Sequence, residues 1–591
     1  MYDLGERGHT YSVDLSSVKP RSSSIHTTLD SGSTSTALIS SLGSLVSRGL
    51  GDRVQAAAIL HPSPAARPLS QTHPFVPDVI VIGLVLDPQN AFRLVDHGPA
   101  ADDEDQIALN DFRELWGDKS ELRRFKDGRI IESVVWEVKT ADERAHVPAM
   151  IVQYILKRHF GLEEDALQTW QSSFDSVLRL PESISSKYLS SGVSTGFKGA
   201  LTAFDNLVKA IKALDDELPL TLSTVSPTSE LLRYTSVFSP VPLPASLATS
   251  IPPNTRYLTP IDIILEFEKS SKWPDDLRAI QKIKLAFFER LASVLMESVS
   301  GLKANVVVGD GIQESEIIDK AYLEIVTSEG WAFSARIWHD REAKLLDRII
   351  DDKKKVMPHI ATTKEAKKGK DYSEGLLAKE LYIRRFIHAP RHHRAIAALC
   401  HRYTAFSGTV RLVKRWLASH WLLHGHITVE AVEIICAHFF VGDGRKLAID
   451  ADAEQATSYL VPASKERGFA TVVQFLAEWK WEDGLFVHMY GPKSPDSSKP
   501  TAKGSTEGVW SISTEVDSDG RMWTSHGPDM VVAFRVRALA KATWDYLQGL
   551  EQGQLNVQVR TLLRVCRSLA DHFFHSQCSF TLQMIMTSSS S

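Results

Sequence analysis

An amphipathic stripe followed by a series of short β-favouring segments limits most narrowly what this chain can fold into. Phe204, Leu207, Val208, Ile211 and Leu214 recur at i, i+3, i+4, i+7 and i+10, which predicts a helix with one apolar face. Behind it come residues 220–225, 231–238, 261–267, 304–308, 321–326 and 331–338, short runs that favour strands. A helix docked on a mostly antiparallel sheet is the arrangement these residues predict. The 591 residues exceed what one core can fill, so the length points to about four modules.

The pattern changes along the chain at places that suggest boundaries. Residues 22–47 are rich in Ser and Thr with few large apolar groups, the composition of a flexible loop. Structure is expected to resume at residues 79–86, a β-rich run, followed by a helix carrying Phe112, Leu115 and Trp116 that Gly117 would stop. Lys126, Asp127 and Gly128 form a turn signal, and residues 130–138 with Trp136 read as a strand, so the first module mixes α and β. Residues 351–370 are charged without an apolar period and read as a linker. From Leu377 to Phe440 consecutive helices are expected, with Ile396, Leu399 and Tyr403 on one face and Val410, Val413 and Leu417 on the next. Residues 492–508, rich in Ser, Pro, Lys and Gly, read as a second linker.

Composition excludes several classes. An apolar fraction of 43% and a charged fraction of 24% rule out wholesale disorder. Net charge is −5, from 67 basic and 72 acidic side chains, so any surface for nucleic acid must come from local clustering. Cys400, Cys436, Cys566 and Cys578 are far apart and form no C-x-x-C pair, which suits a reducing compartment better than a disulfide framework or a zinc site. The first residues lack the apolar core of a signal peptide, and the longest apolar run is shorter than a membrane span, so no membrane association is expected.

Two kinds of candidate chemistry stand out. Asp450 and Asp452 alternate on one strand face and could hold two magnesium ions for phosphoryl transfer, with Gly442-Asp443-Gly444 as the turn beside them. That turn carries a carboxylate where a phosphate would lie, and a solvated loop fits it better. Asp102-Asp103-Glu104-Asp105 and Asp517-Ser518-Asp519-Gly520 read as exposed acidic turns. Between Lys379 and Trp416, by contrast, Arg384, Arg385, Arg391, Arg394, Arg402, Arg411, Lys414 and Arg415 face the single acid Glu380. Arg391 and Arg402 share a helix face opposite Ile396, while Arg411, Lys414 and Arg415 line one side of the next helix. Together these eight form a candidate RNA-binding surface; pairing with acids elsewhere in the chain, or on a protein partner, is equally compatible with them. His388, His392, His393, Cys400 and His401 lack the ligand spacing of structural zinc, and a structural role is expected.

Residues 112–137, FRELWGDKSELRRFKDGRIIESVVWE, and 386–420, FIHAPRHHRAIAALCHRYTAFSGTVRLVKRWLASH, resemble the Nrap family of nucleolar RNA-associated proteins. Residues 81–99 and 257–276 look like that family's third and fourth domains, and the resemblance runs from roughly residue 79 to 550. It implies a multidomain α+β chain in which degenerate nucleotidyltransferase-like α/β domains alternate with helical domains like those of poly(A) polymerase and oligoadenylate synthetase. The implied boundaries are 1–165 for the third domain, 172–360 for the nucleotidyltransferase-like fourth, 364–505 for the helical fifth and 509–591 for part of the last.

Active members of that superfamily carry a Gly-Ser or Gly-Gly turn and then Asp-x-Asp on the next strand. Residues 220–238 hold Ser223, Thr224, Arg233 and Tyr234 there instead, and Asp262, Glu266 and Glu268 are expected on a surface strand. The resemblance therefore implies no catalytic residues, no cofactor, and a scaffold of the nucleolar small-subunit processome, in the nucleus. Its implied partners are precursor ribosomal RNA, the snoRNA-containing processome, an RNA-recognition-motif ribosome-processing protein and casein kinase. An active magnesium-dependent, template-independent nucleotidyltransferase and a protein-only interaction module are the two alternatives. After Gln554 the sequence departs from the family's C-terminal ending.

Overall fold

The computed structural model describes residues 8–15, 34–60, 79–87, 90–100, 106–125, 128–138, 141–163, 166–190, 192, 194–248, 259–270, 273–309, 315–354, 363–441, 461–490 and 508–551. Three apolar cores organise them. Among the described residues no helix is long and apolar enough to cross a membrane.

The first core lies between strands and helices of residues 8–167. Strands β1 (Gly8–Asp14), β2 (Val54–Leu60), β3 (Val79–Leu86) and β7 (Leu167–Thr169) form an antiparallel sheet in the order β2-β3-β1-β7; β4 (Val95–Ala100), β5 (Glu121–Arg124) and β6 (Ile130–Val135) form a second, in the order β4-β6-β5. Helices α1 (Thr34–Leu50), α2 (Gln106–Trp116) and α3 (Val147–Ile155) complete the unit, and α4 (Trp170–Leu178) follows it. Arg53 is fully buried, and its guanidinium grips Asp96 of β4 at 2.9 Å, while the Trp136 indole N–H donates to the same carboxylate at 2.8 Å.

Composition misleads at the start of this unit. The Ser and Thr content of residues 22–47 predicts a loop, whereas residues 34 onward belong to helix α1. Leu38, Leu42, Leu45 and Val46 fall at i, i+4, i+7 and i+8, and Leu42 and Val46 are buried against the sheet; a sparse stripe suffices when a sheet covers it. Ordered structure therefore precedes residue 79.

The second unit realises the predicted helix on a sheet. Helix α5 (Gly196–Lys212) carries the stripe, and strands β8 (Leu222–Pro227), β9 (Ile261–Phe267), β10 (Lys303–Val308), β11 (Ala321–Val326) and β12 (Ala332–Trp338) form a sheet in the order β10-β11-β12-β9-β8. Only β12 and β9 run parallel in it. Helix α6 (Leu277–Ser298), whose first turn is capped by Asp276 accepting from the Ala279 N–H at 2.8 Å, packs on the same apolar side. Inside it Lys284 is buried between Asp319 at 3.0 Å and Glu342 at 2.6 Å.

Two expectations fail here. Residues 231–238 form no strand: Glu230–Leu232 is a 3-10 turn, and the backbone then runs irregularly with Tyr234 at φ 64. The reason is a substitute for strand pairing. The Cys400 thiol donates to the Arg233 carbonyl, the Ser407 hydroxyl to the Tyr234 carbonyl and the Arg411 guanidinium to the Ser236 carbonyl, so helices satisfy this backbone. The boundary at residues 360–364 also fails. Helix α7 (Arg341–Lys354) is followed by α8 (Thr363–Tyr382), and Ala378, Tyr382 and Phe386 complete the second core, so the end of α8 belongs to the sheet's unit.

The third core is helical. Helices α9 (Ala389–Arg402), α10 (Thr404–Ser419), α11 (Val429–Val441), α12 (Lys465–Glu478) and α13 (Met530–Glu551) surround it, with a parallel pair of strands β13 (Leu485–Val487) and β14 (Ile512–Thr514). Trp510, Ile512, Trp523, Val532 and Val536 belong to this same core, so the expected break at residues 505–509 does not begin a separate domain among the described residues. Phe174 and Leu178 of α4 reach into it from the N-terminal side.

Candidate nucleic-acid interface

The basic run separates into three environments. On α9 the arc containing His392, His393 and Ile396 is buried, and the opposite arc carries Arg391, Arg394 and Arg402, all exposed. Among the described residues Arg391 and Arg394 have no acidic partner, and Arg402 lies over the ring of its neighbour Tyr403 at 5.1 Å. Arg384 and Arg385, in the π-helical turn Ile383–His388, are half-buried: Arg384 lies over Trp523 at 5.4 Å and Arg385 donates to the Asp319 carbonyl at 2.9 Å.

Arg411, Lys414 and Arg415 correct the sequence reading, because α10 is buried on nearly every side. Arg411 lies over Phe197 at 5.3 Å, Arg415 over Phe238 at 5.1 Å, and Lys414 donates to Glu230 at 2.6 Å and Glu433 at 2.7 Å. All three are buried at the contact between the modules, and of them Lys414 is the one held by carboxylates in these bonds. The exposed part of the basic run is therefore α9 and its edge.

At the centre of the module contact stands Glu433 of α11, which is fully buried. Arg233 donates to both its oxygens at 3.1 Å, the Thr235 hydroxyl at 2.6 Å and Lys414 at 2.7 Å; the His392 Nε2 lies 2.5 Å away. Burial alone would raise this carboxyl, and the charges of Arg233 and Lys414 with the His392 bond more than reverse that, holding it well below the ordinary range. Sequence reading missed Glu433, although its setting gives a signal: a carboxylate beside Ile434, Ile435, Cys436 and Ala437, in the apolar middle of a helix, must have buried partners.

The sheet of the second unit turns its outer face toward the helical module. Along β9 that face shows Asp262, Ile264 and Glu266, beside Ser334 and Arg336 of β12. Asp262 keeps an open path to solvent but is closely surrounded: desolvation raises its carboxyl, opposed by a Ser334 hydrogen bond and the charges of Arg336 and Arg385. Ile264 between the two carboxylates is buried, and Glu266 follows about 13 Å from Asp262 along the strand. Asp517 closes its own turn by accepting from the Met522 N–H at 2.8 Å. Among the described residues no group of three or more His, Cys, Asp and Glu is placed to hold a metal ion, and His392 serves Glu433 and Tyr490 instead. Asp450 and Asp452, Gly442-Asp443-Gly444 and Asp102-Asp103-Glu104-Asp105 lie outside the described residues.

Comparison with known proteins follows the same division. Residues 7–161 match the Nrap protein domain 3 model, residues 173–401 the Nrap protein nucleotidyltransferase domain 4 and residues 403–565 the Nrap protein PAP/OAS1-like domain 5. The chain is 31% identical to U3 small nucleolar RNA-associated protein 22 of Schizosaccharomyces pombe over 489 residues, 79% of this chain and 39% of the relative. It is 30% identical to the protein of the same name in Saccharomyces cerevisiae, over 69% of this chain and 30% of that one. Identity to human Nucleolar protein 6 is 25%, over 85% of this chain and 41% of the human one. The chain thus spans less than half the length of each of these relatives. With an α/β unit of nucleotidyltransferase type followed by a PAP/OAS1-like helical unit, in the family's own order, the chain belongs to the Nrap family.

Proposed function

We propose that this chain is a non-catalytic, RNA-associated scaffold of the nucleolar small-subunit processome, acting in the processing of precursor ribosomal RNA and in small ribosomal subunit biogenesis. The observation that carries the RNA contact is the exposed arc of Arg391, Arg394 and Arg402, with Arg391 and Arg394 unpaired among the described residues. Guanidinium groups fixed on a rigid helix suit phosphates without reading bases. The yeast relatives bear names that associate them with U3 small nucleolar RNA, which supports the processome and nucleolar placement.

The nucleotidyltransferase fold is degenerate in this reading. A two-metal site needs carboxylates that converge on ions about 4 Å apart. On β9 the alternation Asp262, Ile264, Glu266 offers one carboxylate per level, and that one faces Arg336 and Arg385. The partners implied by family resemblance, an RNA-recognition-motif ribosome-processing protein and casein kinase, belong to the same proposal, and co-purification with the full chain tests them.

The deciding experiment is RNA crosslinking and salt-titrated binding of the chain against the triple variant Arg391→Glu, Arg394→Glu and Arg402→Glu. Loss of three phosphate contacts flattens the dependence of log affinity on log salt by about 2 to 3. Unchanged crosslinks and an unchanged slope would move RNA off α9 and favour a protein-docking role for this face. Incorporation of nucleotides by the purified chain would overturn the non-catalytic reading.

A further inference from the structure

We infer that His392 and Glu433 are positioning residues for the basic face of α9: their buried bond fixes the roll of the helix, so that Arg391, Arg394 and Arg402 meet a polyanion as one preformed surface. This rests on the reading of that face as the RNA contact.

His392 sits between the two arginines in sequence and about 100° from Arg391 around the helix. Its Nε2 lies 2.5 Å from Glu433 and its Nδ1 2.9 Å from the Tyr490 hydroxyl, so both ring nitrogens are engaged on the inner side. The same carboxylate is held by Lys414 of α10 and by Arg233 and Thr235 of the loop after β8. One group therefore references α9 to both modules at once. Rolling α9 by one residue position would withdraw a fully buried imidazole from a fully buried carboxylate and leave unmet polar groups on both. A buried network of this kind contributes little net stability for its desolvation and is suited to specifying a single arrangement. Arg391 and Arg394, lacking described ties of their own, inherit their direction from it.

Glu433→Gln disturbs four partners together and risks the fold, so the test uses His392. His392→Phe keeps a ring in the pocket and removes the ties from α9 to Glu433 and to Tyr490, leaving Arg233, Thr235 and Lys414 on the carboxylate. His392→Gln restores a donor of similar reach. With thermal unfolding and circular dichroism checked alongside, His392→Phe is expected to weaken RNA binding by about tenfold and to flatten the salt slope by at least one contact, while His392→Gln recovers most of both. Amide exchange on α9 should quicken in the Phe variant only. Wild-type affinity and slope in His392→Phe, in a preparation where the triple arginine variant is defective, would overturn the positioning role and leave the RNA reading intact. A triple variant that binds like wild type would instead remove the RNA reading itself.

Discussion

His393, next to the hub, is buried beside Arg233, and desolvation first and that charge second pull its imidazole down to about 3, against the opposing charge of Glu433. His339, packed on Trp273, is lowered to about 4, again chiefly by burial. Both folded values lie below the ordinary value of 6.5, so between them the unfolded chain binds more protons than the folded one. The stability these neutral rings permit is complete above pH 6.5 and is lost as pH falls through the window down to 4 and 3, at up to about 1.4 kcal/mol per unit per histidine. Melting temperature should therefore begin to drop between pH 6.5 and 5, before Glu433, held low by its cations, takes up a proton. His393→Gln should make the profile shallower over that range; an identical profile would show that the ring is not what acid attacks. The sequence marked this histidine as structural, and the structure buries it beside His392 on the inner arc of α9. What was not legible is which cations lie outside: Arg391 and Arg411 look alike until Phe197 and the 236–237 carbonyls, far away in sequence, cover one of them.

Helices α10 and α12 cross at two glycines. A Cβ on Gly468 would stand 2.1 Å from the Thr409 hydroxyl, and one on Gly408 would stand 2.8 Å from the Lys465 side chain, so each helix presents a hydrogen where the other presents bulk. Thr409 cannot retreat, because its hydroxyl already donates to the Ala405 carbonyl at 2.9 Å and the residue is fully buried. Gly468→Ala should cost about 1 to 3 kcal/mol as the helices are forced apart, seen as a lower unfolding midpoint in urea. Gly425→Ala, where nothing lies within 4 Å, is the control and should change the midpoint little. Periodicity identified most of the strands and the helices of this region because their apolar residues repeat locally. It misjudged residues 231–238, since Leu231 and Leu232 are both buried in a turn whose hydrogen bonds come from other helices. It missed α1 for the opposite reason, a stripe too sparse to stand out among serines.

The chain's modules share more buried chemistry than their boundaries suggest. The family models meet between residues 401 and 403, yet Arg233 and Glu433, Glu230 and Lys414, and the 234–237 carbonyls with Ser407 and Arg411 all bond across that line. Farther back, Asp175 of α4 is lowered to about 2: desolvation raises it, but His146 of the first unit and Lys465 of α12 outweigh that, joining the first unit to the helical one. Truncating one partner of such a pair inside the packed interface costs about 3 to 5 kcal/mol, and separating the modules outright bares to water the apolar groups packed around these pairs. Residues 173–401 and 403–565 produced alone should therefore be poorly soluble or molten, each exposing half of the Glu433 network. Produced together, they should recover one another and co-purify as a complex that unfolds in one transition. Two fragments that are separately stable, monomeric and indifferent to each other would mean that the interface contributes nothing to either fold. The arginines on α9 would then be carried by a helix that keeps its place without the helical core it packs against, with Glu433 no more than a buried ion pair. Co-purification, by contrast, would make the contact between the sheet and the helices part of the fold, with the outward face of α9 as its external product.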